Sequence, residues 1–401
     1  MTAPQALPGN RDENWRYANL RPLAKARPDA LPRPEAAALP VPAPLAGFQQ
    51  WVFADARLVD RPAAPDGGNV ADCLDARTAG DAFAGILDAE IAAAGVDFAL
   101  SRANARHGDE VLRIAVPDGT QAAIDVSFFA VASGAQGTSY PRLQIQLGRR
   151  ARLELIERHL SAGAPDAVVN AAVDVSVGAG ATLSHVRVQD CAEQASVFDT
   201  LVAHVGEHAQ YRLRTITLGG LSARSTAFIK LAGRAARCDF VAASVANGVQ
   251  THDFFAEIDH AAPEAATREL FRGIAGGRGK LAFNGKMIVR ENAHDADSDQ
   301  SLKTLLNGSG AEAAARPQLE IYTDRVKAKH GATSGKLDEQ MLFYLLSRGI
   351  DRPQAQALLQ WAFIEDAISQ IELAPLRQRI EQLVAARLNE VASLDGLVSR
   401  S

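Results

Sequence analysis

The chain has 401 residues, 47% of them hydrophobic and 22% charged, which is enough for two or three domains with a large core. Its 42 basic and 47 acidic side chains give a formal net charge of −5, which argues against a general nucleic-acid-binding protein. No apolar run approaches the roughly 20 residues of a membrane-spanning helix, and the polar N-terminus lacks the apolar core of a signal peptide. We therefore expect a cytoplasmic protein that binds neither nucleic acid nor membrane.

Residues 1–105 are predicted to form a proline-rich leader followed by an N-terminal helical region. Eleven of the 18 prolines lie before residue 66, which disfavours helix interiors in the leader. Trp15 and Tyr17 are two aromatic residues in this polar setting, so we expect the segment around them to dock on another part of the protein. In residues 81–94, apolar side chains at three- and four-residue spacing predict one amphipathic helix.

From about residue 110 the apolar period changes to two, which predicts strands with one buried face, most clearly over residues 112–116, 143–147 and 173–177. The turns between these strands repeat a glycine followed three residues later by alanine. The turn glycines are Gly148, Gly178, Gly206 and Gly233, at intervals of 30, 28 and 27 residues. A fixed period in this range, rich in strands and poor in helices, is typical of a solenoid.

We expect each turn glycine to supply a positive φ at the corner and each alanine to let the next coil stack closely. A β-sandwich with evenly spaced hairpins is the alternative. The repeat unit holds more than one strand, however, and therefore favours a solenoid. The predicted fold is mainly β: a right-handed parallel β-helix over residues 106–333, flanked by N-terminal and C-terminal helical regions.

Residues 334–401 are predicted to form a C-terminal helical domain. Its first helix should end at Gly349, and the second should begin after Asp351, which can cap it. Pro375 separates the second helix from a third. The apolar faces are expected to comprise Leu337, Met341, Leu342 and Leu345 in the first helix, Leu358, Trp361, Ala362, Ile368 and Ile371 in the second, and Leu376, Ile380, Leu383, Val384 and Leu388 in the third.

Motifs for catalysis are mostly incomplete. The glycine-rich residues 276–280 lack both the first glycine and the magnesium-binding hydroxyl of a phosphate loop, and residues 294–299 lack the glycine and distal glutamate of a calcium loop. Three cysteines far apart in the sequence cannot form a disulfide framework or a cysteine-rich metal site. His159, His185, His204 and His208 are interpreted as packed or surface residues. Residues 320–333 combine a carboxylate, basic side chains and His330 at the expected last corner of the solenoid, where an imidazole could accept iron.

Several segments resemble the SufB/SufD family, the non-enzymatic components of the SUF iron–sulfur cluster assembly machinery. The similarity is dense from about residue 281 to residue 373. The segments that carry it are residues 13–17, 302–306, 316–322, 326–327, 330–333 and 342–350. The short chain, the leader with Trp15 and the His-Gly-Ala-Thr sequence from His330 resemble the SufD branch more than the SufB branch.

The resemblance implies a scaffold without activity of its own, built as a parallel β-helix between helical regions. It implies pairing with SufB through the β-helix and docking of SufC, an ABC-type ATPase, on the C-terminal helices. It also allows a homodimer of the isolated chain. The candidate residues for SufC docking are Phe343, Tyr344, Ser347, Arg348, Gly349, Ala362 and Phe363.

By the same resemblance, His330 is the candidate residue for contact with a metal or with a transient iron–sulfur cluster formed at the interface with SufB. Many relatives carry a cysteine two positions earlier, where this chain has Ala328. Because a thiolate would be the stronger ligand, we expect the thiolates to come from the partner. We expect no cofactor bound by this chain alone, and the resemblance allows a reduced flavin in the complex.

Two other interpretations stay open from the sequence. A SufB-like cluster scaffold would retain a thiol where Ala328 stands. A β-helix enzyme acting on polysaccharides would place acidic or basic groups along one solenoid face, and no such array recurs at the repeat period.

Overall fold

The structure is a computed structural model that describes residues 7–27, 29, 31, 39–63, 70–76 and 96–388. These residues form a parallel β-solenoid of about seven turns with few helices, which confirms the predicted mainly β fold. The helix predicted over residues 81–94 lies outside the described residues. No helix within the described ranges has both the length and the hydropathy needed to cross a membrane.

Two sheets form the walls of the solenoid, and from β4 onward successive strands alternate between them. The ten-stranded sheet contains β1 (Gln49–Ala54), β2 (Arg57–Asp60), β5 (Gln121–Ala130), β7 (Arg152–Ser161), β9 (Thr182–Asp190), β11 (Gln210–Thr217), β13 (Arg237–Ala246), β15 (Ala266–Gly276), β17 (Ala296–Asn307) and β19 (Val326–Gly335). The nine-stranded sheet contains β3 (Ala71–Asp75), β4 (Glu110–Val116), β6 (Arg142–Leu147), β8 (Val168–Val177), β10 (Ser196–Val205), β12 (Ser222–Leu231), β14 (Thr251–His260), β16 (Lys280–Val289) and β18 (Glu312–Ile321). The pairings are parallel except for β1 with β2 and β3 with β4, which close the N-terminal end.

Side chains alternate between the lumen of the solenoid and its outer faces, as the period of two predicts. The three segments with the clearest two-residue period, residues 112–116, 143–147 and 173–177, lie in β4, β6 and β8. Their apolar residues are buried in one continuous core inside the solenoid. The lumen is therefore a packed core along most of its length.

The turn glycines serve close stacking, and the expectation that they supply a positive φ is wrong. A Cβ on Gly178 would lie 2.5 Å from the carbonyl oxygen of Leu147 in the coil below, and one on Gly206 would lie 2.8 Å from that of Val177. The positive φ falls two positions later, where it is adopted by Arg150, Gly180, His208 and Ala235. The alanines next in sequence are buried as expected, namely Ala151, Ala181, Ala209 and Ala236. The glycines are therefore required by the closeness of neighbouring coils.

The leader docks on the outside of the nine-stranded sheet, as its aromatic residues predict. It contains a 3₁₀ turn (Glu13–Trp15) and helix α1 (Arg21–Lys25), and Trp15 is 1% exposed. The Trp15 Nε1 donates a hydrogen bond to Asp97 Oδ1 at 2.8 Å, and the Arg224 guanidinium lies 4.4 Å from the indole ring. Asp97 belongs to a 3₁₀ turn (Val96–Phe98) that leads into helix α2 (Ala99–His107). The leader thus joins this helical region to the solenoid.

Three C-terminal helices follow β19: α3 (Glu339–Ser347), α4 (Arg352–Ile368) and α5 (Ala374–Leu388). Asp351 caps α4 by accepting a hydrogen bond from the Gln354 backbone N–H at 2.9 Å, and Gly349 has a φ of +85°, as the predicted helix ends require. The α4 and α5 helices pack on the outer face of the ten-stranded sheet.

The predicted apolar faces of these helices are partly wrong. Leu342 is the one buried residue of α3, whereas Met341 is 58% exposed. In α4, Ala362 is exposed and Ile364 and Ala367 are buried in its place, and Leu383 of α5 is at the surface. The reason is that α3 lies beside α4 and off the sheet, so no described element covers most of its apolar side chains.

Candidate functional site

The C-terminal end of the solenoid is open. Here β18 and β19 are the last strands of the two sheets, and within the described residues no further strand pairs with either of them. His330 lies in the middle of β19 with its Cα paired to that of Gln300 in β17, so the expectation that it lies at a corner is wrong. Its side chain is exposed because no coil of the described residues stacks above it.

Ala328, His330 and Ala332 continue the inward-facing series that Ser298, Gln300 and Leu302 begin on β17. His330 therefore stands at the opening of the lumen, between two alanines. The described residues place no group of three or more histidine, cysteine, aspartate or glutamate side chains where it could hold a metal ion. Within the described residues, His330 therefore lacks the further ligands that an iron ion requires.

The cysteines offer no thiolate at this end. Burial raises the pKa of the Cys191 thiol to about 12 and raises that of Cys238 further, so both are protonated at neutral pH. Cys73 is half-buried on β3, at the opposite end of the solenoid.

A buried carboxylate lies below His330 inside the lumen. Glu269 of β15 is 1% exposed, and its Oε2 accepts a hydrogen bond from the Gln300 amide. Burial raises the pKa of Glu269 to about 7, because that single hydrogen bond does not replace the lost hydration. The backbone of Gly285 faces this pair across the lumen, where a Cβ would collide with both side chains. Glu269, Gln300 and His330 thus form a polar series that leads to the open end.

The candidate docking residues on α3 and just after it share one exposed surface. Phe343 is 72% exposed and Tyr344 is 56% exposed. The Arg348 guanidinium lies 5.2 Å from the Tyr344 ring, and the Ser347 hydroxyl donates to the Tyr344 carbonyl at 2.7 Å. Gly349, which ends this segment, is exposed as well. Two large aromatic side chains on a short helix thus lie in solvent.

Ala362 and Phe363 lie in a cleft between the solenoid and the helices. They line a cavity of about 410 Å³ together with residues from β17, from the end of β19, from the segment that joins β19 to α3 and from α3 itself, among them Leu305, Leu337 and Met341. The cleft is mostly apolar, and the exposed residues Lys303 and Lys336 are among those that line it. The structure therefore brings the two groups of predicted docking residues to the same end of the molecule as β19.

A second polar cluster inside the lumen was not predicted from the sequence. Glu157 is fully buried, and its two carboxylate oxygens contact His159 Nε2 at 2.6 Å and His185 Nε2 at 2.9 Å. Arg187 donates to the same carboxylate at 3.0 and 3.1 Å and to Asp199 Oδ1 at 2.8 Å. Burial alone would raise the pKa of Glu157, but Arg187 and the two imidazoles outweigh it and hold that pKa well below its usual range.

The interpretation of His159 and His185 as packed residues fits these contacts, since both imidazoles are buried and hydrogen-bonded to the Glu157 carboxylate. Burial lowers the pKa of His185, which favours the neutral ring. The two-residue period could have revealed this cluster, because it places Glu157 after Leu153 and Leu155 on the inward face of β7. A charged residue at an inward position requires partners on the neighbouring coils.

Comparison with known proteins finds similarity to iron–sulfur cluster assembly proteins of one family. The family described as the SUF system FeS cluster assembly, SufBD core domain, matches residues 129–363, which is more than half of the chain. An iron–sulfur cluster assembly SufBD family protein of Synechocystis is 31% identical over 219 residues, covering 54% of this chain and 48% of that protein. The Escherichia coli SufD protein is 28% identical over 292 residues, covering 69% of this chain and 67% of SufD.

A SufBD family protein of Mycobacterium leprae is 27% identical over 384 residues, covering 93% of this chain and 88% of that protein. The chain thus spans about half of the Synechocystis relative and two thirds or more of the other two. The match over residues 129–363 includes the β-solenoid from β6 onward, the open end with His330 and the exposed surface of α3. The chain belongs to the SufB/SufD family of iron–sulfur cluster assembly proteins.

Proposed function

We propose that this chain is a non-catalytic scaffold subunit of a SufBCD-type complex and resembles SufD in its role. It pairs with SufB through the open end of the solenoid and docks the SufC ATPase on its C-terminal helices. The observation that carries the proposal is the coincidence, within the region matched to the family, of an unpaired solenoid end and an exposed aromatic helix surface.

The open end supports pairing with another solenoid. The strands β18 and β19 are each ten residues long, and each presents an edge of backbone hydrogen-bonding groups on which no further described strand is seated. An edge of that length is a template for strand addition unless it is protected. At the N-terminal end, by contrast, the antiparallel strands β2 and β3 cover the first coil.

The helix surface supports docking of a second partner. Phe343 and Tyr344 project from α3, and the cleft lined by Ala362 and Phe363 lies beside them. Exposed aromatic side chains next to a cleft are the kind of anchor that carries most of the free energy of protein–protein binding. An arginine, Arg348, lies against the Tyr344 ring and adds a second residue type that is frequent in such interfaces.

In this proposal, the nascent cluster is cargo held between the two solenoids. His330 offers one imidazole, Ala328 offers no ligand, and the thiolates come from the partner. Binding of ATP would dimerise SufC and draw the attached helices together, and the resulting strain would expose His330 and the partner's thiols to incoming iron and sulfur. The element with two states is then the interface between the subunits.

The docking surface is tested with a pair of matched variants. In co-purification of the tagged chain with SufB and SufC, Phe343→Asp combined with Tyr344→Asp should lose SufC and retain SufB. The control is Tyr17→Asp, which alters an exposed aromatic residue of the leader. Retention of SufC by the double variant, or its loss in the control, would contradict the assignment.

The role of His330 is tested separately. His330→Ala should leave both partners bound, because it changes neither the strand edges of β18 and β19 nor the surface of α3, and should lower the iron and sulfide retained by the reconstituted complex. Lys329→Ala is the control, since Lys329 is the adjacent exposed residue and faces the opposite side of β19. Equal iron and sulfide in both variants would remove His330 from the proposed site.

A further inference from the structure

The outer face of the ten-stranded sheet carries charges that alternate in sign from coil to coil. One row of residues, whose Cα atoms are paired in register, crosses β11, β13, β15, β17 and β19. We call this row the charge ladder. Its members, in order, are Arg212, Asp239, Arg268, Asp299 and Lys329.

The inner members of the charge ladder have a neighbour of opposite sign on both sides. Asp239 lies between two arginines, and Arg268 lies between two aspartates. Neighbouring strands are about 4.8 Å apart, so side chains at paired positions interact directly or through their electric fields. Opposite charges at such positions stabilise a sheet, and like charges destabilise it.

Lys329 is the exception because it is the last member. On one side its Nζ lies 3.0 Å from Asp299 Oδ2. On the other side is the free edge of β19, on which no further described strand is seated, and the Lys329 side chain is 73% exposed. Lys327 ends a second row in the same way, since its Cα is paired with that of Asp297. The edge of β19 thus presents two outward-facing lysines, each with an acidic neighbour on β17.

The strand β19 cannot supply the next member of the charge ladder to a second copy of itself. Its sequence from Val326 to Gly335 contains no aspartate and no glutamate. Two copies of β19 seated edge to edge would therefore bring no carboxylate to Lys327 or Lys329. A strand of different composition is needed, and the sign of its side chains at these positions is negative.

We infer that the partner strand seated on β19 carries aspartate or glutamate at the outward positions opposite Lys327 and Lys329. This inference rests on the proposed pairing with SufB at the open end and adds to it the chemistry that sets the register. Two acidic residues two positions apart face both lysines in one register, and a slip by one residue turns them to the other face of the sheet. A partner with basic residues there would be repelled.

The test measures the affinity of SufB for the chain by isothermal titration calorimetry at ~0.05 M and ~0.5 M sodium chloride, because salt screens exposed charges. An exposed ion pair changes affinity only a few-fold, so a single change such as Lys329→Ala leaves the complex assembled. Lys327→Glu combined with Lys329→Glu turns two attractions into two repulsions. It should weaken binding by roughly ten-fold or more at low salt and by less at high salt.

The control carries the same change of net charge at a distance from the open end. Arg149→Glu combined with Arg150→Glu alters two exposed residues in the turn between β6 and β7, several coils away. This variant should bind SufB as the wild-type chain does. Equal weakening in the two variants would show an effect of overall charge and would overturn the inference.

Cross-linking of the wild-type complex tests the same contact without any variant. A carbodiimide joins a lysine amine to a carboxylate in contact with it, and mass spectrometry should find Lys327 or Lys329 linked to an aspartate or glutamate of SufB. Lys327→Arg combined with Lys329→Arg keeps both charges, so it should keep the affinity and lose the link.

The outcomes separate this inference from the proposed function. Wild-type affinity in the charge-reversed chain, or a wild-type complex in which neither lysine is linked to SufB, would overturn the inference and leave the pairing intact. If the wild-type chain itself fails to bind SufB, the proposed function fails instead.

Discussion

Glu269 gives the most quantitative prediction for the isolated chain. Its pKa rises from the usual 4.5 to about 7 because the carboxylate is buried with one hydrogen bond. A raised pKa means that the folded chain holds the proton more tightly than the unfolded chain does. The contribution to stability is therefore fully present below pH 4.5 and is lost as the pH rises through 7. A difference of about 2.5 pKa units corresponds to about 3 kcal/mol.

Urea unfolding of the wild-type chain and of Glu269→Gln at pH 5, 6, 7 and 8 isolates this contribution, since all other titrating groups are shared. The glutamine variant should gain about 2 to 3 kcal/mol in free energy of unfolding relative to wild type between pH 5 and pH 8. Glu312→Gln, which changes an exposed carboxylate, should follow the wild-type profile. Parallel profiles for wild type and Glu269→Gln would refute the assignment of a neutral buried carboxyl to Glu269.

Three further variants test the packing that positions the open end. Glu157→Gln should lower the free energy of unfolding by about 3 to 5 kcal/mol, because it removes a buried carboxylate that pairs with Arg187 in the lumen. Glu154→Gln, which changes an outward-facing residue of the same strand, should have little effect. Equal losses of stability in urea unfolding of the two variants would contradict this reasoning. Gly178→Ala should lower the free energy of unfolding by about 1 to 3 kcal/mol, since the added Cβ would collide with the coil below. Gly335→Ala is the control, because a Cβ there meets no described atom within 4 Å. Calorimetric melting should show a lower Tm for Gly178→Ala alone, and equal Tm values would contradict the close stacking. Trp15→Ala should release the leader, so limited proteolysis should cleave residues 7–27 sooner than in Tyr17→Ala; equal cleavage rates would show that the Trp15 contacts do not hold it.

The solenoid and the helix ends could be predicted because each depends on local sequence. The two-residue period over residues 112–116 and 173–177 places apolar side chains on one face, and the recurring turn glycines reveal the length of the coil. Asp351 with Gln354 three residues on defines a helix start without reference to the rest of the fold. The sequence did not reveal that the turn glycines are needed for close stacking, because the approach of a neighbouring coil depends on the tertiary structure.

The candidate site was less predictable, because it depends on what packs against each element. The helical spacing of Met341 and Ala362 indicates apolar faces, yet it cannot show that α3 lies off the sheet and leaves Met341 exposed. The contact between Trp15 and Arg224 joins residues more than 200 positions apart. The polar series from Glu269 to His330 becomes visible only when the registers of β15, β17 and β19 are known.

The most direct test of the proposed function is the native mass of the assembly formed when the tagged chain is co-expressed with SufB and SufC from the same cell. We expect one stable complex that contains all three proteins. Truncation after Gly335 should remove SufC from it and leave the pair with SufB. If the wild-type chain is recovered alone, or as a complex that lacks SufB, the scaffold role proposed for the open end is contradicted.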